Sequence, residues 1–157
     1  MKMLQECNVI GNKHIPLAYK ANSRQIRLEL LAGIIDSDGY YIGNCYEITQ
    51  KNEVLFDDIV YLARSLGFAA YKKKVKKSCM YNGEKKEGVY YRTNIHGFGL
   101  EEIPVKCERK KAKSRKQIKD ALRTAIRLEK KEVDDYYGFT LDGNHRYLLG
   151  DFTVTHN

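Results

Sequence analysis

Two hydrophobic rhythms, one helical and one alternating, divide this chain. From Ser23 to about Asp36, SRQIRLELLAGIID sets Ile26, Leu30, Gly33 and Ile34 at helical spacing. Ser23 offers an N-cap and Gly39 a stop. Tyr40–Thr49, rich in Tyr and Ile and bounded by Gly39 and Asn52, predicts one strand. Asn52–Leu66 returns to helical spacing through Val54, Leu55, Ile59, Leu62, Ala63 and Leu66, closing at Gly67. Phe68–Lys77 and Val89–Ile95 predict a strand pair, with turn residues at Tyr81-Asn82-Gly83 and Gly88. Residues 1–23, with Gly11-Asn12 and Pro16, suit an irregular lead-in holding a short helix. Together these elements predict an α+β unit.

Past Pro104 the character changes. Residues 106–119 form a basic run, KCERKKAKSRKQIK, with no apolar stripe. The following stretch is dominated by β-branched and aromatic residues, with a turn at Asp142-Gly143. A module boundary near Lys116–Asp120 therefore divides the chain into 1–117 and 118–157.

Composition narrows the class. A hydrophobic fraction of 43% supports a packed core and excludes wholesale disorder. Lys and Arg number 28 against 20 Asp and Glu, and the net +8 points to an anionic partner, nucleic acid first. Cys7, Cys45, Cys79 and Cys107 lie far apart with no CxxC pair, which excludes a zinc ribbon and gives no disulfide framework; reduced thiols are expected. No apolar run has signal-peptide or membrane-spanning length.

The most informative stretch is LLAGIIDSDG. Its residues Leu31–Gly39 resemble the LAGLIDADG signature of homing endonucleases, with Ile34 and Ser37 as departures. Ala32 and Gly33 remove bulk from a helix face, so that a second such helix can approach closely. The resemblance implies helices packed on a curved antiparallel sheet that enters the major groove of double-stranded DNA. It makes Asp38 catalytic as a ligand of Mg²⁺, a cation suited to oxygen donors and phosphoryl chemistry. KHIP at 13–16 resembles the segment that precedes the second LAGLIDADG copy in intein endonucleases, which makes residues 1–117 the second half of a two-copy enzyme. IPVKCERKKA at 103–112 resembles the segment supplying a catalytic basic residue, with Lys110 the first choice and Lys106 next. Candidate DNA contacts are Lys72, Lys74, Lys76, Tyr90, Arg92 and Asn94. Strand alternation sets Tyr90, Arg92 and Asn94 on one face, with Val89, Tyr91 and Ile95 on the other.

The end of the chain, DDYYGFTLDGNHRYLLGDFTVTHN, resembles the C-terminal splicing motifs of inteins, and so the terminal strands of a Hint domain. That resemblance assigns Asn157 as the cyclising residue, His156 as the acid beside it, and His145 as an assisting group. Splicing of this kind needs no cofactor. An asparagine amide is positioned to attack its own carbonyl, but an amine is a poor leaving group unless an acid protonates it; imidazole titrates in the right range. FTVT at 152–155 is expected to extend into a strand holding the pair. Where many inteins carry Asp or Cys ahead of this histidine the residue here is Gly138, so that role falls to a neighbour such as Asp135 or Asp142. His14 and His96 lack comparable context.

The parts not matched are an N-terminal nucleophile block and a first LAGLIDADG copy. The implied partners are an N-terminal intein fragment or first endonuclease half, a host protein, and no membrane. The expected location is the cytoplasm or wherever that host resides. A freestanding homodimeric LAGLIDADG endonuclease or RNA maturase, and a non-catalytic basic nucleic-acid-binding module, remain alternatives. Cutting of a palindromic site by a symmetric dimer would mark the first, and metal-independent binding without cleavage the second.

Overall fold

A computed structural model of the chain describes residues 2–114, 120, 123 and 125–156, apart from the side chains of Cys79 and Tyr81. It divides into two compact units, Met1–Leu122 and Arg123–Asn157. The sequence-based boundary at 117/118 falls where most residues lie outside the described set.

The first unit is α+β. Short helices α1 (Lys2–Glu6) and α2 (Leu17–Lys20) precede α3 (Arg24–Asp38), β1 (Gly39–Ile42), β2 (Cys45–Gln50), α4 (Glu53–Ser65), β3 (Lys73–Tyr81) and β4 (Glu84–Ile95). The four strands form one antiparallel sheet in the order β1-β2-β4-β3. Both long helices start where a short polar side chain caps them. Ser23 Oγ accepts from the Ile26 amide at 3.4 Å, and Asn52 Oδ1 from the Leu55 amide at 2.8 Å.

Helices and sheet meet in one core. Leu28, Leu31, Ala32 and Ile35 of α3 and Phe56, Ile59, Leu62 and Ala63 of α4 are buried against Tyr46, Ile48 and Ile95 of the sheet. Phe56 is completely buried, so truncating it to Ala would cost on the order of 3–5 kcal/mol. Asp58 of α4 fastens the lead-in: it accepts the Ile15 amide at 2.7 Å and pairs with Lys20.

Three expectations from the sequence are corrected here. Tyr40–Thr49 is a hairpin, because Gly43 and Asn44 both take positive φ, +57° and +59°, and form a two-residue turn between β1 and β2. Gly88 lies within β4 rather than in a turn. The connection is Asn82-Gly83, with φ of +51° and +79°, so both strands run further toward it than their apolar residues indicated. Ala32 and Gly33, expected to clear one helix face together, are split: α3 buries Leu28, Leu31, Ala32 and Ile35, with Leu30 and Ile34 partly buried against the same core. Ala32 therefore packs in the core, and Gly33 alone of that pair lies on the open face.

Gly39 ends α3 in extended conformation (φ −82°, ψ 156°), its amide donating to the Ile35 carbonyl. A Cβ there would meet the Ile35 Cα at 2.8 Å and its carbonyl oxygen at 2.9 Å, so close approach requires the glycine.

The second unit holds a hairpin of β5 (Arg146–Leu148) and β6 (Val154–His156). The expected strand at 152–155 begins two residues later. Phe152 takes φ +68° and its amide donates to the Leu149 carbonyl at 2.9 Å, which makes it part of the turn. Among the described residues, 125–141 carry no regular structure. No helix among the described residues is long and apolar enough to cross a membrane.

Candidate functional site

The end of α3 brings the LAGIIDSDG acids to different fates. The Asp36 carboxylate accepts the backbone amides of Lys106 and Cys107, each at 2.9 Å. These two amide bonds hold its pKa below the usual carboxylate value. Asp38 stays exposed, and its carboxylate accepts from Gln50 Nε2 at 2.5 Å. Asp36 is thus consumed in holding the chain, while Asp38 faces solvent at the helix terminus. Gln50 was not singled out from the sequence, since nothing in its local pattern announces a partner on another element.

Lys110 reaches the same helix end. It is only 7% exposed, and its ammonium donates to the carbonyls of Ile35 at 2.9 Å and Asp36 at 2.8 Å. A cation over the last carbonyls of a helix satisfies orphan acceptors and meets the negative end of the helix dipole. Lys106 contributes its backbone amide to Asp36. Two tyrosines continue this strap: Tyr46 Oη accepts the Ala112 amide at 3.1 Å and Tyr41 Oη the Lys113 amide at 3.3 Å. Burial pushes the Tyr46 phenol up to about 12, so it stays neutral across any working pH.

The sheet presents one face to α3 and α4 and the other to solvent. Residues directly opposite each other in an antiparallel pair share a face. Tyr91 lies on the helix side with its ring 5.9 Å from Phe56, and Ile95 is buried; Tyr90, Arg92 and Asn94 lie on the outer side, as alternation predicts. Register then sorts the lysines. Lys73 is opposite Arg92, Val75 opposite Tyr90 and Lys77 opposite Gly88, so Lys73 and Lys77 join the outer face. Lys74 is opposite Tyr91 and Lys76 opposite Val89, which puts both on the other side. Of the candidate DNA contacts, Tyr90, Arg92 and Asn94 therefore share the outer face, while Lys74 and Lys76 lie on the other.

Lys72 is already committed. Its ammonium lies 2.6 Å from Glu53 and 2.7 Å from Asp57, and 4.8 Å from the Tyr91 ring centroid. Hydrogen bonds to Asp57 and Glu53 raise its pKa, and in turn Lys72 and the Tyr91 hydroxyl lower that of Glu53. Gly88 serves Tyr90: a Cβ at Gly88 would meet the Tyr90 ring at 2.9 Å, so the ring lies back over the strand on the outer face.

In the second unit, Arg146 is opposite His156, and the preceding His145 takes φ +54°. The two imidazole centroids end up 5.9 Å apart, tilted by 59°. A turn precedes them, with the His145 amide donating to the Asp142 carbonyl at 3.3 Å. Asp135 is also within the described chain, its carboxylate 3.4 Å from the Tyr137 hydroxyl. Asn157 lies outside the described residues.

The first unit thus carries an exposed acid at the end of α3 and, on its sheet, a solvent-facing strand surface with Lys73, Lys77 and Arg92. A family model for homing endonucleases matches residues 14–121, and the chain belongs to that family. Membership of that family implies nuclease activity and DNA binding. The replicative DNA helicase DnaB of Mycobacterium intracellulare is 41% identical over 66 residues, which cover 41% of this chain and 12% of the helicase. The chain thus matches a small part of that relative.

Proposed function

We propose that this chain is the rear portion of an intein, joining the second half of a LAGLIDADG homing endonuclease to the C-terminal strands of a Hint splicing domain. The observation that carries the splicing reading is the approach of His145 to His156 in the terminal hairpin, at 5.9 Å between centroids. Both had been picked from sequence for one reaction, and the β5–β6 register gives them one location. The partial match to a DnaB helicase also supports it, since DnaB is a common intein host. The exposed apolar side chains Ile126, Leu128, Val133 and Tyr136 fit a segment awaiting partner strands from an N-terminal intein portion.

In a precursor where a peptide bond follows Asn157, the Asn157 amide nitrogen attacks its own backbone carbonyl carbon. The ring closes to a succinimide, the carbonyl–nitrogen bond breaks, and the proton goes to the departing amine. His156 is adjacent to supply that proton, and His145 stands beside it to assist.

For the nuclease half, Asp38 is the exposed acid that would hold Mg²⁺, with Gln50 beside it, whereas Asp36 is engaged by two backbone amides. Mg²⁺ is commonly held by one or two carboxylates together with waters and substrate phosphates, so the counterpart of Asp38 would come from a first LAGLIDADG half. When bound, the cation would polarise the phosphate and lower the pKa of water. The side of α3 carrying the exposed Gly33, flanked by the partly buried Leu30 and Ile34, is where the partner helix would pack. Lys110 positions the α3 terminus, while Tyr90, Arg92, Asn94, Lys73 and Lys77 meet the DNA.

The test is to co-express the chain with an N-terminal intein portion and a downstream peptide beginning with Ser, Thr or Cys. Wild type is expected to release that peptide, His145→Ala to release it slowly and Asn157→Ala not at all. Release by Asn157→Ala would end the splicing reading. In the assembled nuclease, Asp38→Asn should abolish cutting without changing the melting temperature, and undiminished cutting would remove Asp38 from the site.

A further inference from the structure

An acid sits in the basic outer face of the sheet. Glu47 of β2 is directly opposite Asn94 and one step diagonal from Arg92, whose own opposite residue is Thr49. Its carboxylate lies 3.7 Å from the Arg92 guanidinium, with side chains 29% and 36% exposed respectively. Lys73 faces Arg92 from the other neighbouring strand, and Lys77 Nζ donates to Thr49 Oγ1 at 3.3 Å. Glu47 therefore stands directly beside Arg92 and Asn94, two groups suited to base edges, with Lys73 and Lys77 on the same face.

Neither stability nor general DNA affinity accounts for it. A half-exposed ion pair of this length contributes little to folding. A carboxylate turned toward a phosphate lattice weakens binding to every sequence alike unless it finds a donor. In the major groove the donor it fits best is the amino group of cytosine, and the acceptors that fit a guanidinium best are guanine O6 and N7. These atoms belong to one base pair and lie side by side on its edge. Glu47 and Arg92 stand on adjacent strands, about 4.8 Å apart, with their charged heads already side by side.

We propose that Glu47 and Arg92 act as one specificity-determining pair that reads a single G·C base pair of the DNA target, Arg92 donating to guanine and Glu47 accepting from cytosine. This rests on the reading that the outer sheet face binds the target. Where the base pair differs, Glu47 loses its donor and its charge repels the DNA. The acid rejects wrong sequences and does little to tighten the right one.

The experiment selects double-stranded DNA from a randomised library with the full chain, at low salt and without divalent metal, and sequences the bound fraction. Wild type, Glu47→Gln and Arg92→Ala are compared, with melting curves to show that all three fold. Wild type is expected to enrich G·C at one position by on the order of tenfold. Both variants should flatten preference at that same base pair and keep it elsewhere, and Glu47→Gln should bind unselected DNA more tightly. If the variants flatten different base pairs, or neither changes any, the pair reading is overturned while sheet-face DNA binding stands. If wild type binds no DNA, both readings fall together.

Discussion

Lys110 Nζ donates to the backbone carbonyl of Asp36 at 2.8 Å, while the Asp36 carboxylate accepts the amides of Lys106 and Cys107. The side chain of each thus binds backbone in the other's segment. The turn of chain at 106–110 is locked to the helix end from which Asp38 projects. This latch relates residues some seventy positions apart, and it sets the first two expectations.

The carboxylate arm of the latch has a pH signature. The folded Asp36 pKa lies below its ordinary value of 3.8 because two amides favour the charged form. A depressed folded pKa contributes stability that is fully present above pH 3.8 and is lost as pH falls through the folded value. Wild type should therefore lose melting temperature more steeply below that pH than Asp36→Asn does. Parallel curves for the two proteins across the acid range would show that the amides do not select the carboxylate.

Lys110→Met keeps the length of the stem and removes the ammonium. The Asp36 carbonyl loses a charged donor, and the Ile35 carbonyl keeps only the Gly39 amide. A cost of about 2 kcal/mol is expected from denaturant unfolding. DNA cutting measured well below the melting midpoint then separates positioning from chemistry. A folded variant with full activity limits Lys110 to holding the helix end.

Gly33 lies on the open side of α3, and a Cβ there would meet nothing within 4 Å. Gly33→Ala is expected to stabilise the isolated chain by up to about 1 kcal/mol, through helix propensity alone. Gly33→Leu should leave its melting temperature nearly unchanged yet block assembly with a first endonuclease half, read by gel filtration or pull-down. Unimpaired assembly of Gly33→Leu would move the seam elsewhere.

The lysines at the base of β3 should differ in their effect on DNA. Lys73 shares the outer face with Arg92, whereas Lys72 is held by Glu53 and Asp57 on the helix side. Lys73→Ala is expected to weaken binding at low salt and lower the slope of log affinity against log salt by about 1. Lys72→Ala should leave that slope unchanged. Equal effects of the two would mean that both faces of the strand contact DNA.

Much of the outer surface was readable in principle. Asn82-Gly83 is a two-residue turn signal that fixes Tyr81 opposite Glu84, and counting back pair by pair reaches Lys73 opposite Arg92. Taking Gly88 as a turn residue as well interrupts that count, so the faces of the β3 lysines are not fixed by the sequence alone. Gly43-Asn44 is the same kind of signal, hidden inside a run rich enough in Tyr and Ile to look like one strand. The sides of α3 are harder to read because apolar residues ring the helix: Leu28, Leu31 and Ile35 are buried, Leu30 and Ile34 partly so, and Ile26 is exposed.

By itself the sequence determined what depends on near neighbours. That covers the capped helices, the alternation of Tyr90, Arg92 and Asn94, the acids that end α3, and the histidines flanking the last hairpin. Only tertiary structure decided that Asp36 takes two backbone amides while Asp38 stays exposed beside Gln50, that Lys110 closes the end of α3, and that Glu47 sits beside Arg92. Short-range sterics and capping are encoded within a few residues, so they can be read along the chain. A buried cation over a helix end, or an ion pair across strands, exists only once register and packing have brought distant residues within hydrogen-bond reach.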